Sequence, residues 1–286
     1  VRNLLPPIAA VLFAVAPLAA RTPIDAPATI DAPGSYVVTR NLRSTSVPAL
    51  VIQADNVVID LGGHTLTTHD PICCVVFASV VTGLRFENGS IVGQGPSDVG
   101  FVAVTSPELN LQNVTFSELG TAVRLTSSRA STLRHNRVAR GITVGFELTG
   151  SSGFLVEDNV IEATTGVLLA AASSSIARNF FGGELRTAPL VLLQSAFGNR
   201  VADNVLRSNG EGIIVHGSGN AIERNLIHAS GCALSFEPSS ADNLYRGNSA
   251  RSVTQVCDCA VPARGAVCDE GTGNVSHGDN YLPDPM

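Results

Sequence analysis

The chain has 286 residues, 15% of them charged, and a formal net charge of −6. That length fits one elongated domain, and the negative balance argues against nucleic acid or an anionic membrane as the main partner. Hydrophobic residues make up 44% but aromatic ones only 5%, with no Trp, which weighs against a dedicated polysaccharide cleft lined with stacked rings.

Residues 1–20, VRNLLPPIAAVLFAVAPLAA, start with the basic Arg2 and run through an apolar stretch into small residues. This predicts a secretory signal peptide with cleavage near Ala20. Pro6, Pro7 and Pro17 and the short run argue against a membrane span, and none is expected after signal removal. Residues 21–50 are Pro- and Ala-rich at first. They predict an extended lead-in and an N-terminal cap with a strand at Tyr36 to Thr39, because an uncovered first coil presents an open sheet edge. Residues 51–250 carry the repeat. Residues 251–286 leave it and predict an irregular, cysteine-containing C-terminal cap.

The repeat is clearest from Val201 to Ser230. Two apolar residues stand five apart, with Asn between them; a turn follows, then a short strand, then another turn. The pairs read Leu61/Leu66, Phe86/Ile91, Leu111/Phe116, Leu133/Val138, Val156/Ile161, Ile176/Phe181, Val201/Leu206, Ile222/Ile227 and Tyr245/Ala250, and their first members recur every 20–25 residues. A third strand of period two lies between pairs, as in Val123-Arg124-Leu125 and Ile213-Ile214-Val215. A unit this short cannot bury its own apolar face and must stack on copies of itself. Three strands and three turns per unit predict an all-β fold: a single right-handed parallel β-helix of about nine coils, capped at both ends, roughly 45 Å long at ~4.8 Å per coil.

Two columns follow from that register. Asn136, Asn159, Asn179, Asn204, Asn225 and Asn248 share one slot, and their amides predict a buried side-chain ladder. Asn also tolerates left-handed turn conformations. In earlier units the slot holds His64, Gly89 and Val114, with Asn88 and Asn113 one residue early, so the ladder should begin at the fourth unit. The preceding residues, His135, Asp158, Arg178, Asp203 and Arg224, predict an outward charge stripe whose alternating signs keep the coils in register.

The runs PGSYVVTRNL (33–42), ALVIQADNVVIDLGGHTL (49–66) and GLRFENGSIVGQG (83–95) resemble the start of secreted NosD-like and pectate-lyase-like right-handed β-helix proteins. The resemblance in repeat style spans about residues 30–250. It implies the fold, and a superfamily that includes polysaccharide lyases, hydrolases and epimerases, tailspikes, adhesins and a periplasmic accessory protein of copper maturation. A fold alone does not choose among these.

Six cysteines in an exported chain predict disulfides. Cys257 or Cys259 with Cys268 is the favoured pair; Cys73, Cys74 and Cys232 are the other candidates, and of the adjacent Cys73 and Cys74 only one can point inward on a strand. The rival reading is a soft-metal site at Cys-x-Cys, suited to Cu(I). The histidines are scattered, with no metal-ligand spacing, so no metal or other cofactor is expected.

The outward residues of the third strand read Arg124, Glu147, Leu168, Val191, Ile214 and Ser235. Two positions on they read Thr126, Thr149, Ala170, Leu193, His216 and Glu237. This face lacks a broad acid cluster. His216 beside Glu237 is the best available acid–base pair and the candidate catalytic set. The apolar strip Leu168, Val191, Leu193 and Ile214 predicts cover by a loop, a tail or a partner. Asn88, Asn113 and Asn274 head Asn-x-Ser/Thr triplets, which matter only in a glycosylating host. The sequence therefore predicts an exported, non-catalytic binding or structural scaffold, secreted, periplasmic or at the cell surface, with a polysaccharide or surface-protein partner. A divergent carbohydrate-active enzyme is the first alternative and an accessory protein for metalloenzyme maturation the second.

Overall fold

The computed structural model describes residues 21–45, 48–68, 73–182, 188–251, 266–277 and 280–281. Successive coils pair in parallel and wind a right-handed β-helix of about nine turns. Three sheets run along its length. Their inward columns are apolar. The first stacks Ile59, Phe86, Leu111, Leu133, Val156, Ile176, Val201, Ile222 and Tyr245. The second includes Leu66, Ile91, Phe116, Val138, Ile161, Phe181, Leu206, Ile227 and Ala250. The third includes Phe101, Val123, Phe146, Val167, Leu190, Ile213 and Leu234. Nearly all of these are fully buried, and each contributes about 1.5–3 kcal/mol by leaving water.

The register corrects one assignment. Ile59, not Leu61, pairs with Phe86 in the first column. Gly62 and Gly63, both at positive φ, lengthen that turn, and Leu61 is buried within it. A fixed five-residue spacing misses this, because the glycines add length without removing an apolar residue.

The parallel stack also reaches into both flanking segments. Thr22–Ile24 pairs with Gly34–Val38, and Ala28–Ile30 with Leu50–Ile52. At the other end Val267–Asp269 and Val275–Ser276 each add a rung.

The asparagine ladder is present at the turn between the first and second sheets and starts at Asn136. Each Nδ2 donates to the Oδ1 of the next coil's Asn, at 3.1 Å for Asn136 to Asn159, 2.9 Å for Asn159 to Asn179 and 3.0 Å for the next three steps. It continues to Asn280 at 3.2 Å. The left-handed residue is the one before each Asn, not the Asn itself. His135, Asp158, Arg178, Asp203 and Arg224 all have φ between 51° and 58°. Asn88 and Asn113, one residue early, occupy that left-handed slot, with φ of 64° and 54°. They form a separate exposed chain, Asn113 to Asn88 to Asp60.

A second ladder, between the third and first sheets, has no counterpart in the sequence reading. Asn199, Asn220, Asn243 and Asn274 bond in series at 2.9–3.0 Å, and Ser174 N–H donates to Asn199 Oδ1 at 2.8 Å. Its signal was the Gly-Asn or Asp-Asn step at each turn. Gly198, Gly219, Asp242 and Gly273 all sit at positive φ.

The outward charge stripe resolves into two pairs rather than a continuous alternation. Arg178 Nε reaches Asp158 at 3.0 Å, and Arg224 Nε reaches Asp203 at 2.8 Å.

One left-handed position is poorly chosen. Val80 is 71% exposed at φ 56°, where a β-branched side chain is strained. Val80→Asn should raise stability by about 1 kcal/mol. Urea denaturation of the two proteins measures it, and a loss of stability would show that Val80 has a packing role.

Candidate functional site

The third sheet turns outward the column Phe77, Val102, Arg124, Glu147, Leu168, Val191, Ile214 and Ser235. Side chains alternate across a strand, so the buried core of this sheet dictates which residues face out. Arg124 Nε meets Glu147 Oε2 at 2.7 Å. Beyond this pair Leu168, Val191, Leu193 and Ile214 lie half-buried in a continuous strip. On the other side of the pair, Cys73 and Cys74 are disulfide-bonded to each other. Cys74, Val99 and Val102 form an outer apolar cluster, with Phe77, Val104 and Cys73 packed against it. Cys232 and Cys268 each take part in a disulfide. Cys257 and Cys259 lie outside the described residues, and with them the favoured pairing to Cys268.

Four polar side chains gather at the C-terminal end of the strip. His216 and Glu237 stand on successive coils of one column, their backbone N–H groups donating to Leu192 and Val215. The Glu237 carboxylate accepts from Ser235 Oγ at 3.2 Å. His216 makes no side-chain hydrogen bond among the described residues; its carbonyl accepts from Ser239 Oγ at 3.1 Å. The fourth member, Glu211, was missed in the sequence. Burial foremost, and then the charge of Glu237, push its carboxyl above the usual glutamate range. A hydrogen bond with Ser235 and the proximity of His216 pull it back in part. Glu211 was missed because it belongs to the turn before Ile213. Strand alternation counted back from Ile213 turns it inward, but Gly212 breaks that count: a Cβ there would stand 2.4 Å from the Ala233 carbonyl oxygen.

Glu223, outward on the first sheet, is the opposite case. Burial alone would raise its carboxyl, but Arg246 and Arg200 outweigh burial and hold it low. Arg246 Nε donates at 2.8 Å and Arg200 Nε at 3.2 Å. Glu223 is a satisfied structural carboxylate, whereas Glu211 is held in a setting that disfavours its charge.

The sign of that difference is testable. A carboxyl whose folded pKa is raised binds more protons in the native state than unfolded, so native stability falls as pH rises through the folded value. Glu211→Gln should therefore stabilise the protein at pH 7 and leave it nearly unchanged at pH 4. Thermal melts at the two pH values check this, and equal shifts would contradict it.

The second sheet also carries an outward apolar stripe, Val160, Phe180, Val205 and Leu226, but there the Arg207 guanidinium lies over the Phe180 ring, 5.4 Å from its centre. Near its N-terminal end an open cleft of about 340 Å³ is lined by Arg43, Thr67, Val92, Gly93, Gln94 and Glu118. Among the described residues no three His, Cys, Asp or Glu side chains converge to hold a metal ion, and no helix is long and apolar enough to cross a membrane.

Among curated proteins there is no match. Similar solved structures include the alginate lyase from Paenibacillus sp. str. FPU-7, at 12% identity over 86% of this chain and 98% of that one, TM-score 0.43. The catalytic domain of a GH87 alpha-1,3-glucanase, in complex with nigerose, aligns at 11% identity over 90% of this chain and 63% of that one, TM-score 0.47. The A-module of the Azotobacter vinelandii mannuronan C-5 epimerase AlgE4 aligns at 11% identity over 91% and 87%, TM-score 0.36. The family model described as "Periplasmic copper-binding protein (NosD)" matches residues 87–258, more than half of the chain. The chain belongs to the NosD family of right-handed parallel β-helix proteins.

Proposed function

We propose that this is an exported β-helix scaffold of the periplasm or cell surface that acts by binding, through the outer face of its third sheet. The observation that carries this is the apolar strip Leu168, Val191, Leu193 and Ile214, flanked at one end by the Arg124–Glu147 pair and at the other by Glu211, His216 and Glu237. An apolar centre with a polar rim is the usual anatomy of a binding surface. The stripe on the second sheet differs, because Arg207 already covers its largest ring. The partner is a surface polysaccharide or a surface protein. Sedimentation with cell-envelope fractions tests the reading: Ile214→Lys should abolish co-sedimentation and Leu226→Lys should not. The reverse pattern would move the surface to the second sheet.

A second reading, a divergent carbohydrate-active enzyme, is favoured by Glu211. A carboxyl that burial pushes above the usual glutamate range, with a second carboxyl nearby at Glu237, is the kind of pair that glycoside hydrolysis draws on. The family description names copper, but the described residues do not suit it. Cys73, Cys74, Cys232 and Cys268 are oxidised, so none offers a thiolate, and the described histidines do not converge with other donors. The accessory-protein reading therefore rests on Cys257 and Cys259, and it requires stoichiometric Cu(I) binding that is lost when both become Ser.

A further inference from the structure

We propose that the open cleft near the N-terminal end of the second sheet is a separate binding site for one neutral sugar residue, the end unit of a glycan chain. It does not rest on the third-sheet surface described above and stands or falls apart from it.

The cleft is built by a local departure from the repeat. Arg43, Thr67 and Val92 share one outward column on three successive coils, and successive rungs stand ~4.8 Å apart. After Val92 the coil takes a longer path to the third sheet than the coil beside it. Val92 pairs with Ser117 and Val99 with Thr121, a step of seven residues against a step of four. The three extra residues must bulge, and a bulge re-aims the side chains around it. Gln94 comes to the cleft from this bulge, and Glu118 comes from the next coil.

The bulge is held fixed. Asp98 is buried, and its Oδ2 accepts from the Gln94 N–H at 2.6 Å. Two glycines let the bulge lie directly on the next coil. A Cβ at Gly93 would stand 2.4 Å from the Glu118 carbonyl oxygen, and one at Gly120 would stand 1.9 Å from the Pro96 carbonyl oxygen. The wall that carries Gln94 is therefore set before any ligand arrives, as is usual for a small-molecule site.

The side chains decide the ligand class. Neither the Gln94 amide nor the Glu118 carboxyl has a hydrogen-bond partner among the described residues. The Thr67 hydroxyl donates to Leu42 O at 3.4 Å, which leaves its lone pairs to accept. Arg43 only donates, the Glu118 carboxylate only accepts, and Gln94 does both. A phosphate or sulfate would suit Arg43 but face Glu118. An ammonium ion would suit Glu118 but face Arg43. An amino-acid zwitterion would match both charges but leave Thr67 and Gln94 without partners. A pyranose has a hydroxyl for each of the four, and every hydroxyl both donates and accepts. Val92 adds an apolar patch for the C–H groups of the ring. The volume of about 340 Å³ is at the small end of ligand sites, which suits one sugar residue and not a longer segment.

The probes are the methyl pyranosides of glucose, galactose, mannose and N-acetylglucosamine, with inorganic phosphate and glycine as charged controls. Each is titrated into the intact chain labelled at its Ile and Val methyl groups, and Val92 and Ile214 are followed by NMR. At least one pyranoside should shift the Val92 methyls, with a dissociation constant on the order of 1 mM, and leave Ile214 in place. Glu118→Ala and Gln94→Ala remove exposed side chains, so both variants should melt like the parent. Each should weaken binding about fivefold or more. Binding unchanged by both substitutions overturns the site, and so does the absence of any pyranoside shift at Val92. Shifts at Ile214 alone would put the sugar on the third sheet, overturning this site while supporting that surface. Saturation at Val92 by phosphate or glycine, and by no pyranoside, overturns the ligand class.

Discussion

Asn204→Ala should cost about 3 kcal/mol, because it interrupts the ladder at its middle. Asn204 Nδ2 donates to Ile176 O at 2.9 Å and Asn225 Oδ1 at 3.0 Å. Its own Oδ1 accepts from Asn179 N–H at 2.9 Å and Asn179 Nδ2 at 3.0 Å. Alanine fills none of these roles. Asn179 N–H and Ile176 O are left buried without water to replace the lost partner, and a stranded buried group costs about 1–3 kcal/mol. Asn88→Ala is the control. Its bonds to Asp60 and Asn113 lie in a more exposed chain, so its cost is about 1 kcal/mol, set by the left-handed φ of 64°. Urea denaturation should separate the two midpoints clearly. Equal midpoints would mean that stability does not depend on the buried ladder.

Phe181→Ala should be the more damaging, by about 3–5 kcal/mol. Its ring is fully buried in the second column between Ile161 and Leu206. It occupies the space that Gly166 leaves by having no side chain: a Cβ on Gly166 would lie 2.5 Å from Cδ1 of the ring. The surroundings cannot close over the hole, because each coil is hydrogen-bonded to the coils above and below. Phe181→Leu keeps most of the volume and should cost less than about 1.5 kcal/mol. Calorimetry of the two variants checks the order. A similar loss for both would show that ring shape, not filled volume, is what the core requires.

The architecture was legible because a solenoid repeats its instructions. Apolar columns and the Asn204 slot recur at one spacing, so each unit confirms the next. Reading failed where a unit departs from the average. Gly62 and Gly63 added length to the first turn, and Leu61 then stood where Ile59 belongs. The second ladder escaped notice because its turns follow the third strand at varying distances, and only the Gly-Asn or Asp-Asn step marks them. The site was half legible for a similar reason. His216 and Glu237 follow from strand alternation, which the sequence shows. Glu211 sits in a turn, where side-chain direction depends on backbone geometry, and the bond from Ser235 to Glu237 depends on a side-chain conformation that no spacing reveals.

That the third sheet's outer face is the working surface can be tested most directly by methyl NMR cross-saturation. The protein is labelled at its Ile, Leu and Val methyl groups and mixed with the unlabelled envelope fraction that it sediments with. The account predicts saturation at Leu168, Val191, Leu193 and Ile214, with Val160, Val205 and Leu226 unaffected. Saturation confined to Val160, Val205 and Leu226 would place the surface on the second sheet and contradict it.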